Sequence, residues 1–532
     1  MTRRNYWIVA AIIIGLALVT SAPHIAGLIY AGRSQVYLAH IPSNPADTAA
    51  YFSDIEQARQ GHWLFANLLT SEPQRAVIFH PVWLLLGWLA AVTTVSTPLA
   101  FQIGRLLALA GVVFLLYRWL ATWCSGQGER WLILIVVATS AGFGWTVGGL
   151  NFIGLQYLKA PIDLWVDEAN TFHTLAHSAQ FILSQAMIVA YLYLLWRTVS
   201  STGNKYRWWA GPLIATLGFI HPYDLITIAA VTVAWLSVRL MSGTDQARLK
   251  PATWIWLLAT WAWAVPVVLY YQLAVLAQPA IRGWYQQMGS PSPSWPAWLM
   301  GLGLLVPLAA IGAVTKRANM RGILLTWIIV ALALAYAPGL SIQRRLLNGI
   351  HIPIAIFAAS GLWWLAIKIP RRIVRQIILS AAVVFLSLTN IFFAVNSVRQ
   401  VVTMPTDYYP PDISRGSFQA INWIKQSVPA DDIVFSNVIM GNAIAGLAAR
   451  RVVIGHGNQT INPQARLDDW KDFSAAATNP DARRAIIIRL GAKWLVWQAG
   501  DQQRGGYQPS LDRQWAKRFS AGDTSVYQLQ TD

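Results

Sequence analysis

Residues 6–30, YWIVAAIIIGLALVTSAPHIAGLIY, decide the class of this protein. The run contains no Asp, Glu, Lys or Arg. As a helix its 25 residues would rise about 37 Å, more than the roughly 30 Å thickness of a hydrocarbon core. It follows Thr2-Arg3-Arg4 and could be mistaken for a secretory signal, but its length, and Pro23 just after the only small-residue site, predict that it is retained. Comparable apolar runs recur near 99–119, 130–149, 175–196, 207–222, 224–240, 253–273, 297–315, 322–340, 347–367 and 375–396. Together they predict a polytopic α-helical membrane protein with about 11 crossings. The run Pro81–Leu89 is apolar but short, and is read as a helix lying in the interface.

Charge supports this reading. The 532 residues are 55% hydrophobic and only 12% charged, with 40 Lys and Arg against 22 Asp and Glu, a formal +18. A nucleic-acid-binding surface would need that excess clustered. Here it is spread over the loops between apolar runs. With the N-terminus inside, the cytoplasmic segments carry 17 basic and two acidic residues, whereas the outer loops balance at eight of each. The positive-inside rule therefore sets the N-terminus in the cytoplasm of a cell membrane, and an odd number of crossings sets the C-terminus outside. Cys124 is the only cysteine, so no intrachain disulfide can form.

Two domains are expected, a transmembrane part over 1–398, whose outer loop 31–98 carries interfacial helices, and an extracytoplasmic part over 399–532. After Pro410-Pro411 the pattern alternates a helical stretch, 418–425, with short β-rich runs at 433–435, 451–454 and 494–497. That alternation predicts a small α/β domain with a mostly parallel sheet. Within it, Gly455-His456-Gly457-Asn458-Gln459-Thr460 follows a strand, where such domains gather ligands, and carries neither the Walker pattern nor the dinucleotide fingerprint.

Polar groups at the outer ends of membrane helices are the candidates for chemistry. Asp47 and Tyr51 are four apart and would share one helix face. A carboxylate at the membrane surface suits general-base work on a hydroxyl or metal binding, and equally the cap of a helix opening at Pro45. His173 and His177 have the spacing of two metal ligands with Asp167 or Glu168 nearby, and the same residues could pair with one another at the mouth of a cavity. His221 and Asp224 meet where two spans join, as cap or as a site for a hydroxyl-rich substrate. Arg344 and Arg345 lie on the side where positive charge is scarce. Arginine forks bind phosphate bidentately, which makes this pair the candidate for a lipid phosphate, with interfacial snorkelling as the bland alternative. Arg105, about two turns into its span, is expected to pair with an outer-loop acid and could touch the same phosphate.

The series Asp47…Tyr51, Arg59…His62-Trp63, His80-Pro81-Val82-Trp83 and Gln102…Arg105 resembles the first outer loop of the GT-C glycosyltransferase superfamily. The resemblance is to the branch of protein O-mannosyltransferases and lipid A aminoarabinose transferases. Asp47-Thr48 stands where that branch has Asp-Glu, and His80-Pro81 where it has Pro-Pro. The resemblance implies a GT-C-like fold and transfer of a sugar from a polyprenyl-phosphate donor to an extracytoplasmic lipid, glycan or protein acceptor. Asp47 would be the catalytic or metal-associated acid. Tyr51, His80, Arg105, Asp167, Glu168, His173, His177, His221, Arg344 and Arg345 would bind substrate. A divalent ion is the one cofactor admitted, with Asp47, Glu168, His173 and His177 as its candidate ligands. Partners would include membrane lipids but no nucleic acid. A lipid or saccharide transporter or flippase, and a silent membrane scaffold, remain open on the residues alone. Transport usually needs polar or broken helices near the midplane, whereas polar groups here collect at the outer ends.

Overall fold

A computed structural model describes residues 3–41, 43–124, 126–147, 160–200, 205–242, 249–316, 320–403 and 409–530. The end of the expected 130–149 span, and Lys159, Asp245, Arg248 and Arg317 of the charge distribution, lie outside them. The chain forms two compact units. One comprises Met1–Ala22, Gly104–Leu269 and Gly289–Ser397, the other Pro23–Ile103, Tyr270–Met288 and Val398–Asp532.

Among the described residues six helices are long and apolar enough to cross a membrane: Arg3–Tyr30, Thr97–Leu120, Ala179–Ser200, Tyr223–Met241, Pro251–Val275 and Gln343–Ala366. Two bent pairs, Trp295–Leu302 with Leu305–Thr315 (75°) and Arg372–Leu386 with Leu388–Thr403 (47°), raise the number to eight if each is one span. The expected eleven is not confirmed among the described residues. The remaining three apolar runs give helices of 13, 11 and 15 residues, Gln127–Thr139, Ala210–Ile220 and Arg321–Ala335. At about 1.5 Å per residue they cover roughly 16–23 Å. Each stops for a local reason. Beyond Thr139 the chain is extended at Ser140, and the amides of Gly142 and Gly144 go to Asp163 Oδ2. His221 precedes Pro222 and is driven out of the helical region. The third helix runs out ahead of Pro338-Gly339. The short apolar Pro81 helix extends to Thr93, 13 residues in all.

The first unit is built of helices packed through small residues. Leu305–Thr315 and His351–Ala366 touch backbone to backbone. A Cβ on Gly312 would lie 1.9 Å from the Phe357 carbonyl oxygen, and one on Gly361 2.1 Å from that of Leu308. Neither oxygen can move without unwinding its helix, so only glycine fits. Gly361→Val should lower stability by about 3 kcal/mol through overpacking. The check is the thermal unfolding midpoint of detergent-purified protein, which an unstrained site would leave unchanged.

The second unit joins the segment after the first helix to the tail. Strand β1 (Gln35–Tyr37) pairs antiparallel with β2 (Asp412–Ser414). The tail holds a sheet of β3 (Ile433–Phe435), β4 (Arg451–Val452), β5 (Ala492–Gln498), β6 (Trp515–Ala521) and β7 (Thr524–Leu529), in the order β4-β3-β5-β7-β6. Contacts β3–β4 and β3–β5 are parallel, β5–β7 and β6–β7 antiparallel. The sheet is thus mixed, not mostly parallel, because the chain after β6 reverses through the tight turn at Gly522-Asp523. The expected helix at 418–425 lies within Arg415–Ser427. One face of the sheet packs Val434, Val452 and Val496 against Ile421, Ile424, Met440 and Ile444, together with Leu68 and Leu69 of the outer loop. Phe435, Phe473, Trp497, Tyr507 and Trp515 fill the other.

Candidate functional site

Asp47 belongs to the second unit. Its helix, Pro45–Arg59, opens with Asn44 as N-cap and proline at the first helical position, a pairing whose missing amide hydrogen costs nothing there. The cap is Asn44, not Asp47. Asp47 sits in the first turn, where the helix dipole favours a carboxylate. Its Oδ1 is 2.8 Å from His456 Nε2, and its Oδ2 accepts from the Asn44 side-chain amide. His456 Nδ1 accepts backbone N–H from Asn458 (2.9 Å) and Gln459 (3.0 Å). That occupancy assigns the ring proton to Nε2, so His456 donates to Asp47. The Asp47 side chain is 31% exposed and that of His456 4%, leaving the carboxylate held yet open to a reactant. Close approach places this helix: a Cβ on Gly446 of Val438–Ala448 would lie 3.1 Å from the Ala49 Cα, and the Asn442 amide donates to the Ala46 carbonyl.

Tyr51 and His80 meet in an aromatic stack of the same unit. The Tyr51 ring lies 5.0 Å from Trp83 and 6.3 Å from Phe101, and His80 lies 4.9 Å from Trp83. His80 also caps the Pro81–Thr93 helix, its Nδ1 accepting from the Trp83 amide.

The first unit gathers the remaining candidates into one polar network. The short helix Thr171–His177 is capped by Asn170 and carries both histidines on one face. Asp167 bridges them, its Oδ1 3.5 Å from His173 Nδ1 and its Oδ2 3.6 Å from His177 Nε2. Arg105, fully buried, donates to the Leu175 carbonyl of this helix and to the Thr20 and Ser21 hydroxyls. The neighbouring acid, Glu168, faces Arg344 Nε at 3.5 Å, and the Arg344 guanidinium lies over the Trp165 ring. Arg345 lies over Tyr223 and donates to Ser290. His221 Nδ1 is 3.0 Å from Asp224 Oδ1, and Asn348 donates to the Asp224 carboxylate and to Ser184. Gln185 closes the network by donating to Asn348 and to Thr174.

Sequence spacing therefore identified the members of this network but not its connectors. Asn348, Gln185 and Ser184 are the amides and hydroxyl that let buried Asp224 exist in an apolar bundle. Asn348 follows the Arg344-Arg345 pair by three residues and so carried a signal, whereas Gln185 is one of two glutamines, with Gln180, in the Ala179–Ser200 helix and did not stand out. The larger omission was His456, whose loop drew notice only as a strand end.

Asp163 anchors the loop before this cluster. Burial raises its carboxyl from the ordinary aspartate range to about 6, against the opposing pull of the Gly144 and Gly142 amides and the Thr389 hydroxyl. An acid whose folded value is raised favours the folded state below its unfolded value and loses that advantage as pH climbs to the folded one. Stability relative to Asp163→Asn should accordingly fall by up to about 3 kcal/mol between pH 4 and 6 and stay level above pH 7. Paired thermal melts across that range provide the check, and a pH-independent difference would refute it.

Among the described residues no group of three or more His, Cys, Asp or Glu side chains is arranged to hold an ion. Glu168 faces Arg344, His173 and His177 face Asp167, and Asp47 is held by His456.

No protein-family model matches the sequence, and no curated protein sequence matches it. The fold does have solved counterparts. ArnT from Cupriavidus metallidurans, solved with undecaprenyl phosphate, superposes with a TM-score of 0.56 at 10% identity, over 99% of this chain and 98% of that one. The mycobacterial arabinofuranosyltransferase AftD gives 0.57 at 12% identity, over 100% of this chain and 40% of its own. The Archaeoglobus fulgidus oligosaccharyltransferase in its apo form gives 0.52 at 13% identity, over 96% and 73%. An archaeal oligosaccharyltransferase AglB from the same organism has been solved with an inhibitory peptide and a dolichol-phosphate. All three are GT-C glycosyltransferases, and this chain has their fold.

Proposed function

We propose that this protein is a multi-pass membrane glycosyltransferase that moves a sugar from a polyprenyl-phosphate donor to an extracytoplasmic acceptor. The observation that carries the reading is the Asp47 carboxylate, fixed by a histidine and an asparagine and still open to a reactant. The acceptor hydroxyl oxygen forms the new bond to the anomeric carbon. The bond from that carbon to the phosphate oxygen breaks, and its electron pair leaves on the polyprenyl phosphate. Asp47 takes the hydroxyl proton, general-base work open to a positioned, partly exposed carboxylate. Arg344 and Arg345 bind the phosphate with their planar guanidinium forks, each braced on an aromatic ring. Arg105, Asp167, Glu168, His173, His177 and His221 shape the surroundings of the arginine pair, and Tyr51 and His80 those of Asp47. The N-terminus is cytoplasmic and the 399–532 domain extracytoplasmic.

The test is release of polyprenyl phosphate by purified protein in liposomes, using a panel of radiolabelled polyprenyl-phosphate pentoses, hexoses and amino sugars. Release should be time-dependent, with label recovered on a lipid, glycan or peptide acceptor. Movement of intact donor between leaflets without release would instead identify a flippase and overturn the assignment.

A further inference from the structure

We infer that His456 is a positioning residue for Asp47, which makes the 455–460 loop of the tail part of the catalytic apparatus. The inference rests on the transferase reading above. A buried histidine opposite an acid is often a structural pair, but this ring is held on both sides. Its Nδ1 accepts the amides of Asn458 and Gln459, and its Nε2 reaches Asp47 Oδ1. One tautomer satisfies that set, and it points a neutral N–H at the carboxylate.

The loop that presents the ring is itself tied down from several distant parts of the second unit. The Thr460 hydroxyl accepts the Gly455 and His456 amides and donates to the Leu69 carbonyl. The Asn67 amide donates to the Gln459 carbonyl, and Gln287 donates to the carbonyls of Asn458 and Thr460. Together these bonds hold the loop whose Asn458 and Gln459 amides orient the His456 ring. A loop serving only to cap the sheet would need none of them to converge on an open carboxylate in a helix 400 residues earlier. Preorganising a reacting group through a rigid supporting residue is how enzymes avoid reorientation during the reaction. His456 does not touch substrate in this scheme. It sets which lone pair of Asp47 faces the acceptor.

Two substitutions separate positioning from loop structure. His456→Asn leaves an oxygen where Nδ1 accepts the two amides but is too short to reach Asp47. His456→Gln keeps an N–H donor at the place of Nε2. In liposomes, His456→Asn should lower kcat roughly tenfold or more, part of the 10²–10⁴ that a positioned base contributes, with the donor KM within twofold of wild type. His456→Gln should recover most of that loss. Unchanged kcat in His456→Asn, alongside wild-type activity that Asp47→Asn abolishes, would overturn the inference and leave the transferase reading standing. An inactive wild type would remove both. A second measurement covers the case of a poorly folding variant. In ¹⁵N-histidine spectra, one ring should be protonated at Nε2 and its shift should move in Asp47→Asn protein, whereas superimposable spectra would overturn the pairing.

Discussion

Asp47→Asn protein is expected to insert and fold like wild type while losing roughly 10²–10⁴ of its transfer rate, the range a positioned base supplies. Asparagine has the same size, and its side-chain oxygen can still accept from His456 Nε2. What disappears is the negative charge that takes the acceptor proton. Because the Asp47 side chain is about one-third exposed, the substitution disturbs little packing. Asp47→Ala should be equally inactive but slightly less stable, by about 1–2 kcal/mol, since it strands the His456 donor in a buried position. The readouts are polyprenyl phosphate release and the unfolding midpoint, measured on the same preparations. Full release activity in Asp47→Asn would remove Asp47 from the reaction.

Replacing both Arg344 and Arg345 with alanine should cut kcat/KM for the lipid donor by roughly 10²–10⁴. Each charge-assisted bond to a phosphate contributes about 1.5–3 kcal/mol, and the two losses should nearly add. Lysine at both positions should restore only a fraction, because an ammonium lacks the planar fork and the stacking on Trp165 and Tyr223. One control is needed. Truncating Arg344 leaves Glu168 buried beside a lost cation, so Arg344→Ala combined with Glu168→Gln separates folding from binding. Arg345→Ala, which leaves the Glu168–Arg344 pair in place, is the companion single substitution. Donor binding by the double variant equal to wild type would exclude the pair as the phosphate site.

How much of this was legible in sequence depended on the range of the interaction. Apolar runs long enough to cross a bilayer announce themselves, and six did. The three that fell short were cut by events periodicity does not record: Asp163 capturing two amides, a proline after His221, and Pro338-Gly339. The network around Asp167 was readable because its anchors are charges in places where charge is costly, and cost makes such residues conspicuous. Their partners Gln185 and Ser184 resemble ordinary helix residues until the Gln343–Leu347 turn brings Asn348 against them. Asp47 and His456 lie 409 positions apart, and no pattern of either neighbourhood encodes the other. The mixed sheet was missed for a related reason, since a two-residue turn such as Gly522-Asp523 reverses a strand without altering its composition.

The pairing of β1 with β2 has a consequence for how the protein comes into being. Tyr37 and its partner Asp412 are separated by roughly 375 residues. At translation rates of about 5–20 residues per second, β1 must wait roughly 20–75 s for β2 to be made. During that interval the Asp47 helix lacks the Val438–Ala448 helix it packs against. The Asp47 helix is therefore among the first parts of the chain to be synthesised and among the last to be packed, and the Asp47–His456 pair forms only once the tail has been made.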